Sequence, residues 1–239
     1  MGSAEPTAVF WLMASIVPSI LAGDFARLGE SLELVQALGV SAIHIDVKDG
    51  HFRPQISVGQ PVVKSICKAT HLKLDVHLMI ERPERYVEDF VGAGAGSLAI
   101  HPEATQNLIH AIESTRKLGR PAGVALNAST PVENCYEVLA DLDFVLLDMC
   151  SGTFMQRALN RVASLAKVRA NRGMRFGIQV EGDVEVSQAD ELFAAGADIL
   201  VMGSAIFDNS EQGKAARNLV RRLSRRTSAP GDELKSPVQ

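Results

Sequence analysis

The chain has 239 residues, 46% of them hydrophobic, so it can bury the core of one sizeable domain. Its formal net charge of -4 is small and neither sign dominates a long run, so we expect no nucleic-acid and no membrane partner. The three cysteines have no metal-ligand spacing and their odd number does not suit a disulfide framework, which predicts reduced thiols in a cytoplasmic protein.

The chain begins with a short apolar run that has Glu5 before it and no preceding basic region. Because this run is also too short to span a bilayer, we expect neither a signal peptide nor a transmembrane helix. The sequence predicts an N-terminal extension over 1–14, one domain over 15–224 and a disordered polar tail over 225–239.

Short apolar runs alternate along the chain with longer stretches of helical spacing. The apolar runs predict eight strands, over 15–20, 42–46, 73–77, 97–100, 122–126, 144–147, 175–180 and 199–202. The longer stretches predict helices over 25–38, 83–91, 108–118, 131–139, 156–169, 186–195 and 211–223. In ALGVSAIHI, GAGAGSLAI and AAGADILVM a helix is followed by a glycine and then a strand, as expected where glycine caps a helix C-terminus.

This alternation predicts an α/β fold, a single-domain (β/α)₈ TIM barrel. An open, doubly wound sheet is the alternative, but it would normally need fewer strands. In a barrel, functional groups lie at the C-terminal ends of the strands, where the loops to the following helices begin. Candidate site residues are therefore expected at the strand ends.

Three strand ends carry imidazoles and carboxylates. His44 and Asp46 are two residues apart at the end of the second strand, so they face the same side. Asp75 and His77 repeat this spacing on the third strand, and the seventh ends in Glu181. Two imidazoles and two carboxylates at one mouth of a barrel form a suitable site for a divalent transition metal. We expect Asp75 to be structural or to orient a neighbouring histidine.

Five blocks between residues 15 and 207 resemble the ribulose-phosphate 3-epimerase family, in the family's order. They are IVPSILAGDFARLGE, IHIDVKDGHFRP, LDVHLMIERPERYVEDFVGAGA, GVALNASTP and GADILVMGSAIF. The resemblance implies a TIM barrel, a divalent metal (Zn²⁺, Fe²⁺ or Mn²⁺) and inversion at C3 of a ketose phosphate. It also implies that the protein is a homo-oligomer and that it binds a small-molecule sugar phosphate.

The C3 proton of such a ketose is only weakly acidic, so a metal on the C2 and C3 oxygens would stabilise the enediolate. Inversion also needs two acid/base groups on opposite faces of that planar intermediate. By resemblance these groups are Asp46 and Glu181, and the metal ligands are His44, Asp46, His77 and Glu181. D-ribulose 5-phosphate and D-xylulose 5-phosphate, or close analogues, would be interconverted.

The resemblance also assigns contacts to the substrate. They are Ser19, His77, Met79, Gly152, Gln156, Gly182, Gly203 and Ser204. Met79 would form an apolar wall beside the enediolate, and Gly203 with Ser204 would open a helix in the manner of a phosphate-binding element. The segment His-Pro-Glu over 101–103 resembles one in allulose-6-phosphate epimerases, so a six-carbon substrate stays open.

Strand seven departs from the family's Asp-Gly-Gly, since this chain reads Glu181, Gly182, Asp183. Glutamate keeps the charge but is one methylene longer, which displaces the carboxylate by about 1 Å and can cost roughly 10²-fold in rate. Asp183 stands where a glycine backbone would approach the phosphate, and its carboxylate would repel a dianion.

The loop after strand six departs as well. The family reads like Asn-Pro-Gly-Phe-Gly-Gly-Gln, whereas residues 149–156 read MCSGTFMQ. Gly152 and Gln156 match, but Phe154 and Met155 replace paired glycines whose backbone N–H groups would cradle an anion.

Two charged residues at the mouth are further departures. Lys48 stands where the family usually has methionine, and it would weaken metal binding, stabilise the enediolate, pair with Asp46 or Glu181, or point to solvent. Asp148, near the end of strand six, either adds negative charge to the mouth or caps a loop.

Three functions follow from these observations. The first is a metal-dependent 3-epimerase of a ketose phosphate. The second is an impaired or inactive epimerase homologue with a ligand-binding or regulatory role, because the departures cluster at one mouth. The third is an epimerase or aldolase-like enzyme for a non-phosphorylated or differently charged sugar, in which Phe154 and Met155 form an apolar subsite.

Overall fold

A computed structural model describes residues 14–149 and 155–227. Within them, one parallel sheet has eight strands: β1 (Ser15–Pro18), β2 (Ala42–Lys48), β3 (Lys73–Met79), β4 (Ser97–Ile100), β5 (Ala122–Asn127), β6 (Phe144–Asp148), β7 (Gly177–Glu181) and β8 (Ile199–Met202). The strands pair in the order β1-β8-β7-β6-β5-β4-β3-β2. A parallel bridge between Ser19 and His44 joins β1 to β2 and closes the barrel, so the predicted (β/α)₈ fold is confirmed.

The described helices are α1 (Leu28–Gln36), α2 (Gln60–Ala69), α3 (Val87–Gly92), α4 (Leu108–Lys117), α5 (Met155–Arg172), α6 (Val186–Ala195), α7 (Ser204–Phe207) and α8 (Glu211–Thr227). None of them is both long and apolar enough to cross a membrane. The three predicted glycine caps are confirmed, because Gly39, Gly94 and Gly196 have φ of 78°, 109° and 112°, in the left-handed region that favours glycine.

Several predicted elements differ from the structure. The predicted helix over 131–139 consists of two 3₁₀ turns, Val132–Cys135 and Leu139–Asp141. The buried side chains of Val132, Cys135 and Leu139 keep helical spacing, but the backbone N–H groups of Tyr136 and Val138 bond to carbonyls three residues back, as in a 3₁₀ helix. No helix is predicted at α2, although its apolar residues Val62, Val63 and Ile66 have helical spacing.

A small apolar cluster, separate from the main core, joins side chains from six of the strands. They are Val17, Ala42, Ala99, Ala125, Phe144, Leu146 and Ile199. Small residues make room for the ring of Phe144, since a Cβ atom placed on Gly123 would lie 2.3 Å from that ring. This packing fixes the spacing of the strands whose ends carry the site.

Enlarging Gly123 should therefore be tolerated only when Phe144 is made smaller. We expect Gly123→Ala to destabilise the protein by about 1–3 kcal/mol through overpacking, and Phe144→Leu by roughly 0.5–3 kcal/mol. In the double variant the new methyl group fills space that the ring has left, so its loss should be smaller than the sum of the two by more than about 0.5 kcal/mol. Urea unfolding of all four proteins measures this, and additive losses would contradict the packing described.

Candidate metal centre and active site

Four side chains from three strands converge at the C-terminal mouth of the barrel. His44 and Asp46 come from β2, His77 from β3 and Glu181 from β7, and all four are buried. Strand register sets the heights, because Asp46 lies opposite His77 in the β2–β3 pair. One nitrogen or oxygen atom from each residue lies within 4.8 Å of the corresponding atoms of the others. The predicted ligand residues are therefore brought together.

The extra methylene of Glu181 does not keep its carboxylate away from the cluster. Glu181 Oε1 lies 2.9 Å from His77 Nδ1, and its Oε2 lies 3.0 Å from His44 Nε2. Asp46 Oδ1 lies 3.2 Å from His44 Nε2 and 3.3 Å from His77 Nδ1. Both carboxylates thus approach the same two ring nitrogens.

The residues fit a divalent metal, as two buried atoms show. His77 Nδ1 and Glu181 Oε2 have no hydrogen-bond partner among the described residues, although atoms of opposite charge lie within about 3 Å of each. Burying such groups without a hydrogen bond is costly, whereas a cation bound between them would satisfy both. Two imidazoles and two carboxylates are a donor set suited to Zn²⁺, Fe²⁺ or Mn²⁺.

Without a cation, the four groups hold one another in their charged forms. Burial would lower the pKa of His77, but the charges of Glu181 and Asp46 outweigh it and raise the pKa to about 9. Burial would likewise raise the pKa of Glu181, yet the charge of His77 lowers it to about 2. The pKa of His44 is raised well above its usual value, because the charges of Asp46 and Asp75 outweigh burial. A metal would take the place of the imidazole protons on the side facing the cluster.

Asp75 holds His44 from behind the cluster. Its Oδ2 lies 2.7 Å from His44 Nδ1, so the other ring nitrogen, Nε2, faces the ligand atoms. Asp75 in turn accepts hydrogen bonds from Ser97 Oγ and Gln179 Nε2, each at 2.7 Å. A carboxylate behind a histidine is the usual partner of a metal-binding imidazole, which is the second of the two roles that we predicted for Asp75.

A cleft of about 460 Å³ opens above the cluster. Its lining contains seven of the residues assigned from the sequence: Ser19, Asp46, Met79, Glu181, Gly182, Gly203 and Ser204. Ser19 Oγ donates a hydrogen bond to Asp46 Oδ2 at 2.9 Å. Gln156 is placed differently, on the first turn of α5, where its side-chain amide donates to Asn160 Oδ1 at 3.1 Å. Gly152 lies outside the described residues.

The structure also places the charged residues that depart from the family pattern. Lys48 lines the cleft, and its Nζ donates to Gln55 Oε1 at 3.0 Å. Asp148 lines it too and forms an ion pair with Arg53, which also donates to Asn127 Oδ1 at 2.6 Å. The positive charge of Arg53 therefore balances the negative charge of Asp148 at the barrel mouth.

Asp183 has a backbone conformation that residues other than glycine seldom adopt. Its φ is 50° and that of Gly182 is 104°, so both lie in the left-handed region. Asp183 lines the cleft next to Glu181. The chain thus keeps the path of a glycine turn while adding a carboxylate to the rim.

The sequence model described as "Ribulose-phosphate 3 epimerase family" matches residues 15–207. This chain belongs to that family. The ribulose-phosphate 3-epimerase of Bacillus subtilis (strain 168) is 40% identical over 209 residues, covering 85% of this chain and 96% of its relative. The chloroplastic ribulose-5-phosphate-3-epimerase of Arabidopsis thaliana is 37% identical over 211 residues, covering 85% and 75%.

More distant solved structures share the fold alone. A 3-hexulose-6-phosphate synthase superposes with a TM-score of 0.62 at 19% identity, over 88% of this chain and 97% of that one. A mutant tryptophan synthase alpha-subunit from the hyperthermophile Pyrococcus furiosus gives a TM-score of 0.63 at 17% identity, over 89% and 98%. Both are TIM-barrel neighbours of this epimerase-family chain.

The sequence points to His101 and Glu103 only through their resemblance to allulose-6-phosphate epimerases, and it assigns no role to Arg53. His101 and Glu103 follow β4, and His101 Nε2 lies 2.8 Å from His77 Nε2 inside the protein. Arg53 follows β2 and neutralises Asp148. The sequence does hold one indication of the role of Arg53. Asp148 places a carboxylate at the buried barrel mouth, and a buried carboxylate needs a cation nearby.

Removing either imidazole should remove the metal. We expect His44→Ala and His77→Ala to lower the bound metal from about one ion per chain to far less after dialysis against a chelator, because three ligands replace four. His110→Ala, at an exposed histidine of α4, is the matched control and should bind as the unaltered protein does. Elemental analysis measures the content. Equal metal in all four proteins would mean that the ion lies elsewhere.

Proposed function

We propose that this protein is a metal-dependent 3-epimerase of a ketose phosphate, interconverting D-ribulose 5-phosphate and D-xylulose 5-phosphate or close analogues. One observation carries the proposal: the carboxylates of Asp46 and Glu181 converge with His44 and His77 beneath a cleft of sugar size. Relatives that bear the epimerase name and align with most of this chain support it.

The ligands would be His44 Nε2, His77 Nδ1 and the carboxylates of Asp46 and Glu181. When bound, a divalent cation would supply Lewis-acid stabilisation of the negative charge on the sugar oxygens. Asp75 would keep His44 in the tautomer whose Nε2 lone pair faces the metal. An ionised carboxylate can only accept a hydrogen bond, so the nitrogen beside it, Nδ1, must carry the proton.

The two carboxylates would move the protons. Inversion at C3 requires that a proton leaves from one face of the sugar and that another returns to the opposite face. Asp46 and Glu181 belong to β2 and β7, which β8 and β1 separate in the barrel, so a sugar between them would present one face to each. One carboxylate would take the C3 proton as the enediolate forms, and the other, as a carboxylic acid, would protonate the opposite face. The hydrogen bond from Ser19 would orient Asp46 for this step.

The remaining cleft residues would position the sugar. Met79 would supply an apolar wall that excludes water from the enediolate, and Lys48 would place a positive charge on the same side of the cleft. Gly203 and Ser204 would contact the phosphate at the rim. Gly152 and Gln156 stay proposed contacts on the ground of the family resemblance alone.

The test is exchange of the C3 proton with solvent deuterium, using each epimer separately. The unaltered protein should exchange both. Asp46→Asn and Glu181→Gln keep an oxygen ligand but cannot accept a proton, so each should exchange only the epimer whose proton faces the surviving carboxylate. Metal content is measured alongside, and the comparison uses preparations with equal metal. If both variants lose exchange with both epimers equally, the two-carboxylate mechanism is wrong.

Asp183 offers a test of the substrate's charge. If the phosphate lies at this rim, Asp183→Asn should raise kcat/KM for the ketose phosphate by on the order of fivefold, from about 1 kcal/mol of repulsion at ~4 Å in water. Asparagine tolerates the left-handed backbone, so the gain reports charge alone. Asp190→Asn, an exposed carboxylate on α6, is the control and should change nothing.

Two other results would favour the alternative functions. No gain, together with higher activity on an unphosphorylated ketose, would favour an enzyme for a neutral sugar. Ligand binding without exchange of either sugar would favour an impaired homologue with a binding role, for which the carboxylate of Asp183 beside Glu181 is the supporting observation. The family resemblance also leads us to propose a cytoplasmic homo-oligomer, and light scattering of the purified protein tests the oligomeric state.

A further inference from the structure

A second histidine lies directly behind one of the metal ligands. The Nε2 atoms of His77 and His101 are 2.8 Å apart, and both side chains are fully buried. On its other side, His101 Nδ1 lies 3.3 Å from Glu103 Oε2. A continuous chain of contacts therefore runs from the metal-facing Nδ1 of His77, through two rings, to a carboxylate near the rim.

The chemistry of these groups fixes the direction of each hydrogen bond between Glu103, His101 and His77. A neutral imidazole has one N–H and one lone pair, and an ionised carboxylate only accepts. Glu103 must therefore accept from His101 Nδ1–H, which leaves a lone pair on His101 Nε2. That lone pair accepts from His77 Nε2–H, so when His77 gives up its second proton to bind metal, Nδ1 is the nitrogen left with a lone pair, towards Asp46 and Glu181. The opposite placement would put a proton on the nitrogen that must bind metal.

The carboxylate at the end of the chain is itself held in place. Glu103 Oε1 accepts the backbone N–H of Asn127 at 3.0 Å and the hydroxyl of Thr130. Burial would raise the pKa of Glu103, but the hydrogen bonds from His101 and Thr130 outweigh it and lower the pKa to about 2. Oε2 is thereby left as a fixed acceptor for His101.

We propose that Glu103 is a positioning residue which, through His101, fixes the tautomer of His77 and so keeps Nδ1 available to the metal. This inference rests on the metal site proposed above. It gives the two ligand histidines parallel supports: Asp75 acts on His44 directly, and Glu103 acts on His77 through a second imidazole.

Replacing Glu103 by glutamine should reverse the direction of the hydrogen bonds that run from residue 103 through His101 to His77. The donors on Asn127 and Thr130 would hold the amide oxygen where Oε1 now lies, so the amide NH₂ would point at His101 Nδ1. His101 would then carry its proton on Nε2, and His77 would carry its proton on Nδ1, facing the metal site. Glu103→Ala leaves room for a water molecule that can accept from His101 Nδ1–H, which preserves the original direction. The smaller chemical change should thus have the larger effect.

The experiment measures Zn²⁺ affinity of the full chain, stripped of metal, by competition with a chelator. We expect Glu103→Gln to weaken binding roughly 10–100-fold, the range for lost outer partners of metal ligands, and Glu103→Ala to weaken it less. The control is Glu84→Gln, in which another carboxylate near the rim loses its charge; Glu84 accepts from Thr105 and contacts no histidine among the described residues. It should bind Zn²⁺ as the unaltered protein does.

Two further readouts keep a folding defect from passing as support. Thermal unfolding of the metal-free variants checks that Glu103→Gln is folded at the assay temperature. In the Zn²⁺-loaded unaltered protein, long-range ¹H–¹⁵N spectra should show His101 protonated at Nδ1 and His77 protonated at Nε2.

The proposal is overturned if Glu103→Ala loses as much affinity as Glu103→Gln or more, if Glu103→Gln binds like the unaltered protein, or if His101 is protonated at Nε2. Absence of Zn²⁺ binding by the unaltered protein would instead reject the metal site on which both proposals rest.

Discussion

The structure depends on the convergence of four buried polar side chains on one point at the mouth of a closed barrel. Parallel strands end at a common edge and turn alternate side chains to the same face, so His44 and Asp46 arrive together on one strand. The β2–β3 register then sets Asp46 beside His77 and His44 beside Asp75. A shift of one residue in that register would turn these groups away from the site and expose apolar side chains in their place.

Burying two imidazoles and two carboxylates costs free energy unless each has a partner, and the chain supplies partners from behind the cluster. Asp75, itself held by Ser97 and Gln179, supports His44. Ser19 supports Asp46, and the contacts that continue from His77 end at a carboxylate near the rim. These outer contacts restrict each side chain to one orientation, which a metal site with short bonds requires.

The departures from the family pattern affect the cleft walls more than the cluster. Glu181 reaches both ring nitrogens despite its extra methylene, so the ligand set is geometrically intact. On the walls, Lys48 lies beside Gln55, Arg53 balances Asp148, and Asp183 keeps a left-handed turn where glycine is usual. The part of the site that would hold the metal is therefore preserved, while the part that would recognise the rest of the substrate carries a different arrangement of charge.

The sequence by itself determined the barrel and the candidate ligands. Alternating apolar runs, glycine caps and same-face spacing are local features, and local backbone geometry enforces them wherever the chain folds. Local periodicity did not distinguish an α-helix from the two 3₁₀ turns over 132–141, because both bury side chains at helical spacing.

Only the tertiary structure decided that Glu181 spans both histidines, that Arg53 pairs with Asp148 and that His101 stands behind His77. Such contacts join residues far apart in the chain, and they depend on strand register, side-chain rotamers and the packing of neighbouring loops. None of these is a property of any short stretch of sequence.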